Sequence, residues 1–178
     1  MKPRLNSSIA TAIAAVAFAA AATTSAYAVE RELYDYQSAA GACQGALPAF
    51  AGTLRARPLA LGNEGAAPAF VTCAHQTDDR TSGITQKTTR VFARVGNTGT
   101  GSVTINCTFV HGFGGGLTPT YVTRTATVSA GSSAFLIIDP TDIDAAATEI
   151  RYAQWSCSLP PGAVVYYVSR YYTLDVGA

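Results

Sequence analysis

The sequence predicts an all-β domain, a β-sandwich or small barrel, stapled by two disulfides and preceded by a cleaved signal helix. Three observations carry that expectation. Roughly seven short segments alternate apolar and polar residues, with turn residues between them. Four cysteines, an even number, all lie beyond residue 28. The first 28 residues have the three-part pattern of an export signal.

Lys2 and Arg4 form the positive start of that signal, and Ile9 to Ala22 is its apolar run. A spanning helix needs about 20 apolar residues, so the run is too short to be one. Ala26-Tyr27-Ala28 places small residues where signal peptidase requires them, which predicts cleavage after Ala28. No cysteine for a lipid anchor and no Arg-Arg pair accompanies it. The expected destination is outside the cytoplasm, secreted or periplasmic, with no transmembrane segment in the remainder.

Residues 29–178 then form a single β domain. Without Lys2 and Arg4, ten basic residues of the 12 face 11 acidic ones, a net charge near −1. That balance excludes a nucleic-acid partner, which needs a basic patch. Cys43, Cys73, Cys107 and Cys157 read as two disulfides. The sequential pairing Cys43–Cys73 and Cys107–Cys157 is favoured because it closes the shorter loops, at about 3–4 kcal/mol each. Zinc is disfavoured, because its sites use closely spaced ligand pairs.

The elements follow in chain order. Residues 29–70 are rich in Ala, Gly and Pro and read as largely irregular chain packed over a sheet, apart from the alternating Tyr34 and Tyr36. Residues 71–178 form the sheet core. Val91, Ala93 and Val95 alternate with Arg90, Phe92 and Arg94; Val103, Ile105, Cys107 and Phe109 alternate with Ser102, Thr104, Asn106 and Thr108. Gly96 to Gly101 holds turn residues, so strands 88–95 and 102–110 are expected to form a hairpin. Tyr121–Ser129 and Ala134–Ile138 are further strands, the second broken at Asp139-Pro140. Asp142 is expected to cap a short helical turn. Ala153, Trp155, Cys157 and Leu159 alternate, Pro160-Pro161-Gly162 turns the chain, and Val164 to Leu174 is a long final strand. No internal repeat is evident.

The runs Val71-Thr72-Cys73, Cys107-Thr108 and Cys157-Ser158-Leu159-Pro160-Pro161-Gly162 resemble a group of small exported bacterial proteins. In that group four cysteines follow a leader, and a C-x-L-P-P-G turn precedes a Tyr/Val-rich terminal strand. The resemblance implies an address and a scaffold, and no particular activity. Ser102 to Cys107 is also similar to a cysteine-bearing strand of immunoglobulin domains, and Trp155 stands where such domains place a Tyr before their second cysteine. This implies an immunoglobulin-like sandwich, although the Trp usually found between the two cysteines is absent.

Candidate chemistry is sparse. His75, near Asp78-Asp79, has the residues for acid–base work, but Gln76 to Gly83 has the composition of a solvated loop. His111-Gly112-Phe113-Gly114-Gly115-Gly116 is similar to the oxyanion loop of esterases, yet no G-x-S-x-G elbow exists in the chain. Asp139, Asp142, Asp144 and Glu149 are dense enough for calcium but lack the EF-hand spacing. No metal and no cofactor is therefore expected. The aromatic residues near the C-terminus are more suggestive. By strand alternation Tyr167 and Tyr171 share one face, and Tyr166 and Tyr172 the other. An exposed Tyr face suits a glycan or a protein partner.

The favoured expectation is an exported, non-enzymatic binding or envelope-associated module. Two alternatives stand beside it. One is a secreted hydrolase using His75 or His111. The other is a structural subunit that adds its terminal strand to a neighbour's sheet.

Overall fold

The computed structural model describes residues 29–75, 86–112 and 118–175. The expected signal segment, Asp78-Asp79 and the glycine run 114–116 lie outside these residues. Eleven strands are present among the described residues: β1 Glu30–Ser38, β2 Cys43–Gly45, β3 Leu54–Arg57, β4 Ala60–Asn63, β5 Ala69–Ala74, β6 Gln86–Asn97, β7 Val103–His111, β8 Thr120–Val128, β9 Ser133–Ile138, β10 Gln154–Leu159 and β11 Ala163–Asp175. One helical turn, α1 (Ala39–Ala42), links β1 to β2. No helix among the described residues is long and apolar enough to cross a membrane.

The strands form an antiparallel β-sandwich. Sheet A runs β3-β4-β11-β6-β9, with β1 continuing beside β11 beyond β4; sheet B runs β2-β5-β10-β7-β8. The alternating positions fill the space between the sheets. Val91, Ala93, Val95, Val165, Val168 and Ile138 of sheet A meet Val71, Ile105, Phe109, Trp155 and Leu159 of sheet B. Each Val, Leu, Ile or Phe side chain among them contributes about 1.5–3 kcal/mol when fully buried.

Disulfides join Cys43 to Cys73 and Cys107 to Cys157. Each links directly opposed residues of neighbouring strands, with Cα atoms 3.9 and 4.0 Å apart. Both therefore lie within sheet B, whereas an immunoglobulin disulfide bridges the two sheets.

Four expectations are corrected. First, residues 29–70 are not irregular: they carry β1 to β4. β2, β3 and β4 are only three or four residues long, and β4 is buried throughout, so no alternation marks them. Second, β6 and β7 do not form a hairpin, because they belong to different sheets. The connection between them is an arch, built by the buried side chain of Asn97. Its Nδ2 donates to the carbonyls of Gly101 (2.6 Å) and Val128 (3.0 Å), and its Oδ1 accepts from the Gly99 N–H (2.9 Å).

Third, the chain does repeat itself. Asn63 ends β4 as Asn97 ends β6, and makes the same bonds: Nδ2 to the Ala67 and Leu159 carbonyls, both 2.8 Å, and Oδ1 from the Gly65 N–H at 2.9 Å. Both arches carry Gly-Asn-x-Gly, and both lead into a strand whose cysteine lies ten positions after the Asn, at Cys73 and Cys107. Between these two arches sits the Pro160-Pro161-Gly162 arch from β10 to β11. Gly162 has φ +80° and its N–H donates to the Asn63 carbonyl, while its own carbonyl accepts from the Thr98 N–H. A left-handed residue at this crowded point favours glycine.

Fourth, Asp142 is not a helix cap. A single 3₁₀ turn, Pro140–Asp142, is capped by Asp139, and Asp142 closes a capping box by accepting from the Asp139 N–H at 2.9 Å. Asp142 also pairs with Arg124, and the latter's Nε donates to the Ile137 carbonyl at 3.1 Å. Arg124 thus ties the β8 edge of sheet B to the β9 edge of sheet A. The remaining acids of that stretch are engaged as well: Asp139 with Arg90, Asp144 with the Ala146 N–H, Glu149 with Arg151.

Candidate functional site

The outward side of sheet A is aromatic. Strand alternation turns Tyr34 and Tyr36 of β1, Tyr167 and Tyr171 of β11, Phe92 of β6, and Phe135 and Ile137 of β9 to the same face. Register places them in rows across four strands: Tyr34, Tyr171 and Arg90; then Tyr36, Ser169, Phe92 and Ile137; then Tyr167, Arg94 and Phe135. Ser169, in the middle row, is small, and Phe92 beside it is only 6% exposed although it points away from the core.

Phe92 is the floor of the face. The rings of Tyr171, Phe135, Tyr36 and Tyr167 surround it at 5.5, 5.7, 6.3 and 6.3 Å between centroids. Tyr34 packs edge-on against Tyr171 at 4.2 Å, and Tyr36 against Tyr167 at 5.3 Å. These tilted and edge-to-face pairs are the favoured geometry for aromatic quadrupoles. The rim stays open: Tyr34, Tyr36 and Phe135 are 53%, 58% and 52% exposed. The result is a shallow depression of about 210 Å³ lined by Tyr36, Arg90, Phe92, Phe135, Tyr167 and Tyr171. The Tyr171 hydroxyl is held above its ordinary pKa, chiefly by desolvation and then by the neighbouring Tyr34 hydroxyl, so the face is uncharged there at neutral pH.

The structure brings Tyr167 and Tyr171 together as alternation predicts, and separates Tyr166 from Tyr172. β11 has an extra residue between Val165 and Tyr167, a bulge at Tyr166. The bulge turns Tyr166 onto the outer face beside Tyr167, and the guanidinium carbon of Arg94 lies 5.4 Å and 6.0 Å from their ring centroids. Tyr166 covers Gly96, where a Cβ atom would fall 2.5 Å from the ring. Tyr172 stays on the opposite side, its ring 4.7 Å from the guanidinium of the buried Arg170. Strict period-two counting fails across a bulge, which is why Tyr166 was expected on the other face.

Sequence reasoning missed Tyr34, Tyr36, Phe92, Phe135 and Ile137 as members of one site. The signal was present in each strand, as aromatic residues on the side opposite the aliphatic ones. Only the strand order unites them.

The histidines do not form a catalytic pair. His75 lies at the end of β5 and His111 at the end of β7, on opposite sides of the segment entering β10, where each neighbourhood bonds to that segment separately. His75 is not a solvated loop residue. It is 6% exposed, and its Nε2 accepts the indole N–H of Trp155 at 3.1 Å. Its Nδ1 is buried without a hydrogen-bond partner among the described residues. Burial, reinforced by Arg170 and opposed by Asp35, lowers its pKa to about 4, so the ring is neutral at pH 7. His111 Nδ1 accepts the Arg151 N–H at 3.0 Å, and burial is the main cause of its lowered pKa. A neutral imidazole has one acceptor nitrogen. In both residues that nitrogen already holds a protein N–H, which leaves no lone pair for a general base. No serine or threonine hydroxyl among the described residues bonds to either ring. Among these residues there is also no cluster of three or more His, Cys, Asp or Glu fit for a metal.

No protein-family model matches the sequence, and no curated protein matches it either. Solved structures of similar shape do exist. The chain is similar to TmCBM61 in complex with beta-1,4-galactotriose, at 8% identity, covering 79% of this chain and 86% of that one, TM-score 0.38. It is similar to the family 11 carbohydrate-binding module from Clostridium thermocellum in complex with a beta-1,3-1,4-mixed-linked tetrasaccharide, at 11% identity, 83% and 96% coverage, TM-score 0.37. It is also similar to part of PfGH50B, at 12% identity, 84% of this chain and 24% of that chain, TM-score 0.37.

Proposed function

We propose that the protein is an exported, non-enzymatic module that binds glycan through the aromatic outer face of sheet A. One observation carries the reading. Four strands present a continuous field of rings around a recessed Phe92, with half-exposed Tyr and Phe at its rim. A protein rarely leaves a contiguous apolar patch uncovered without a use for it. Rings held rigid by mutual packing offer flat apolar surface, and their hydroxyls offer donors and acceptors at the edges. Sugar rings need both: an apolar face to stack and a rim of hydroxyls to bond. The two disulfides fit an oxidising compartment.

The test is co-sedimentation of the oxidised domain with insoluble peptidoglycan, chitin and cellulose, beside a Tyr167→Ala/Tyr171→Ala variant. Binding that the variant loses by about tenfold or more, at unchanged circular dichroism, supports the reading; removing two aromatic anchors typically costs that much. Equal binding by both proteins rejects this face as the site. No binding to any polymer favours a protein partner instead.

A further inference from the structure

Arg94 stands apart from the paired arginines. Arg57, Arg90, Arg124, Arg151 and Arg170 each have a carboxylate within 4.0 Å. Arg94 has none among the described residues. Its guanidinium is held among three rings, those of Tyr166, Phe135 and Tyr167, at 5.4, 5.7 and 6.0 Å from its carbon. Nε and Nη2 donate to Ser133 Oγ at 3.3 and 3.2 Å. That fixes one edge of the fork against a neutral hydroxyl and leaves the Nη1–Nη2 end with N–H groups to offer. Such an end matches two oxygens of a carboxylate or sulfate. The rings also keep water from one side of the cation, which strengthens its attraction for an anion.

Building on the glycan reading above, we infer that the occupant is an acidic polysaccharide, with one carboxylate or sulfate against Arg94 while the neighbouring sugar stacks on the Tyr36–Tyr167 pair. The positive charge beside the rings is local: the other cation on this face, Lys87, lies beyond Arg90 on β6, in one row with Thr173 and Glu32. Arg90 is neutralised by Asp139, and Glu30 and Glu32 continue the outward row of Tyr34 and Tyr36 at the far end of β1. The face therefore recognises an acidic group at one position rather than uniform negative charge along the polymer.

The experiment compares polygalacturonate with its fully methyl-esterified, uncharged form, and dextran sulfate with dextran, by isothermal calorimetry. The proteins are wild type, Arg94→Gln and Arg94→Lys. The wild type is expected to prefer an acidic member over its neutral counterpart by about tenfold, the preference weakening as NaCl rises from about 0.05 to about 0.5 M. Arg94→Gln should abolish that preference, and Arg94→Lys should keep part of it. A preference in the first pair identifies a carboxylate, and one confined to the second a sulfate. Equal affinity for charged and neutral forms, or an unchanged preference in Arg94→Gln, overturns the inference. If neither acidic polymer binds but an insoluble neutral one is held in a Tyr167/Tyr171-dependent way, the acidic inference fails and the glycan reading survives. If nothing binds, both fail.

Discussion

The two sheets of this sandwich have opposite characters. Sheet B contains both disulfides, and its outward side is mostly a ladder of hydroxyls, with Phe70 and Tyr121 exposed singly on it: Thr104 bonds Thr127, Asn106 bonds Thr125, and Thr108 lies 3.5 Å from Thr123. Sheet A contains no disulfide, and its outward side is a field of rings. Hydroxyl side chains on β-strands satisfy one another across the ladder and ask nothing of a partner. Aromatic rings satisfy one another only in part, and their exposed area stays available. Covalent reinforcement and the aromatic face lie on different sheets, so each can change without disturbing the other.

The strongest way to break that division is to remove the Cys107–Cys157 bond. A Cys107→Ala/Cys157→Ala variant should lose about 4 kcal/mol of stability, and Cys43→Ala/Cys73→Ala a few tenths less because its loop is shorter. Urea denaturation measures both. On the glycan reading proposed above, whichever variant remains folded should bind as the wild type does. Lost binding in a folded variant would mean that sheet B shapes the aromatic face after all.

The next effect concerns a place where charge meets across the sandwich: His75, just past β5 of sheet B, near Asp35 and Arg170 of sheet A. The folded pKa of His75 is about 4, against about 6.5 in the unfolded chain. The unfolded state therefore binds the extra proton between those values. Stability is full above pH 6.5 and falls as pH drops toward 4, by up to about 3 kcal/mol. Denaturation at pH 7 and pH 4.5 should show the loss in wild type and a smaller one in His75→Gln, whose amide oxygen also accepts from Trp155. Equal losses would remove His75 as the cause.

Two substitutions of smaller effect sharpen the contrast between the outer faces. Phe92→Ala should destabilise by about 2–3 kcal/mol, somewhat less than a core Phe, because its surroundings are open on one side. It should also weaken binding by removing the floor. Thr125→Ala on the other face should change stability by less than about 0.5 kcal/mol and leave binding as it was. Thermal melts and the same pull-down read both.

Much of this was legible in the sequence. Val103 to Phe109 and Trp155 to Leu159 alternate cleanly because one side of each strand faces the core. What was not legible depended on partners distant in the chain. Asn97-Thr98-Gly99 has the composition of a hairpin turn. It becomes an arch because the Asn97 side chain bonds Val128, and because β11 arrives between β4 and β6. The repeat is faint in the sequence because only Gly, Asn, Gly and Cys recur while the residues between them differ. The aromatic site was half visible: Tyr167 and Tyr171 stood out in a Tyr-rich strand, while Phe92 and Phe135 were single residues in ordinary ones. The expectation that the terminal strand joins a neighbour's sheet is overturned by its position. β11 is paired on both sides, with β1 and β4 on one and β6 on the other.

That position governs how the molecule is made. β10 is the middle strand of sheet B and β11 the middle strand of sheet A, and they are consecutive. Until they arrive, β4 and β6 share no partner, nor do β5 and β7. Folding of this domain therefore waits for β10 and β11 and closes long loops at once, the regime of slow, high-contact-order topologies. A chain emerging N-terminus first stays open until β11 is free. It then has every earlier strand, and all four cysteines, ready to be locked in a single step.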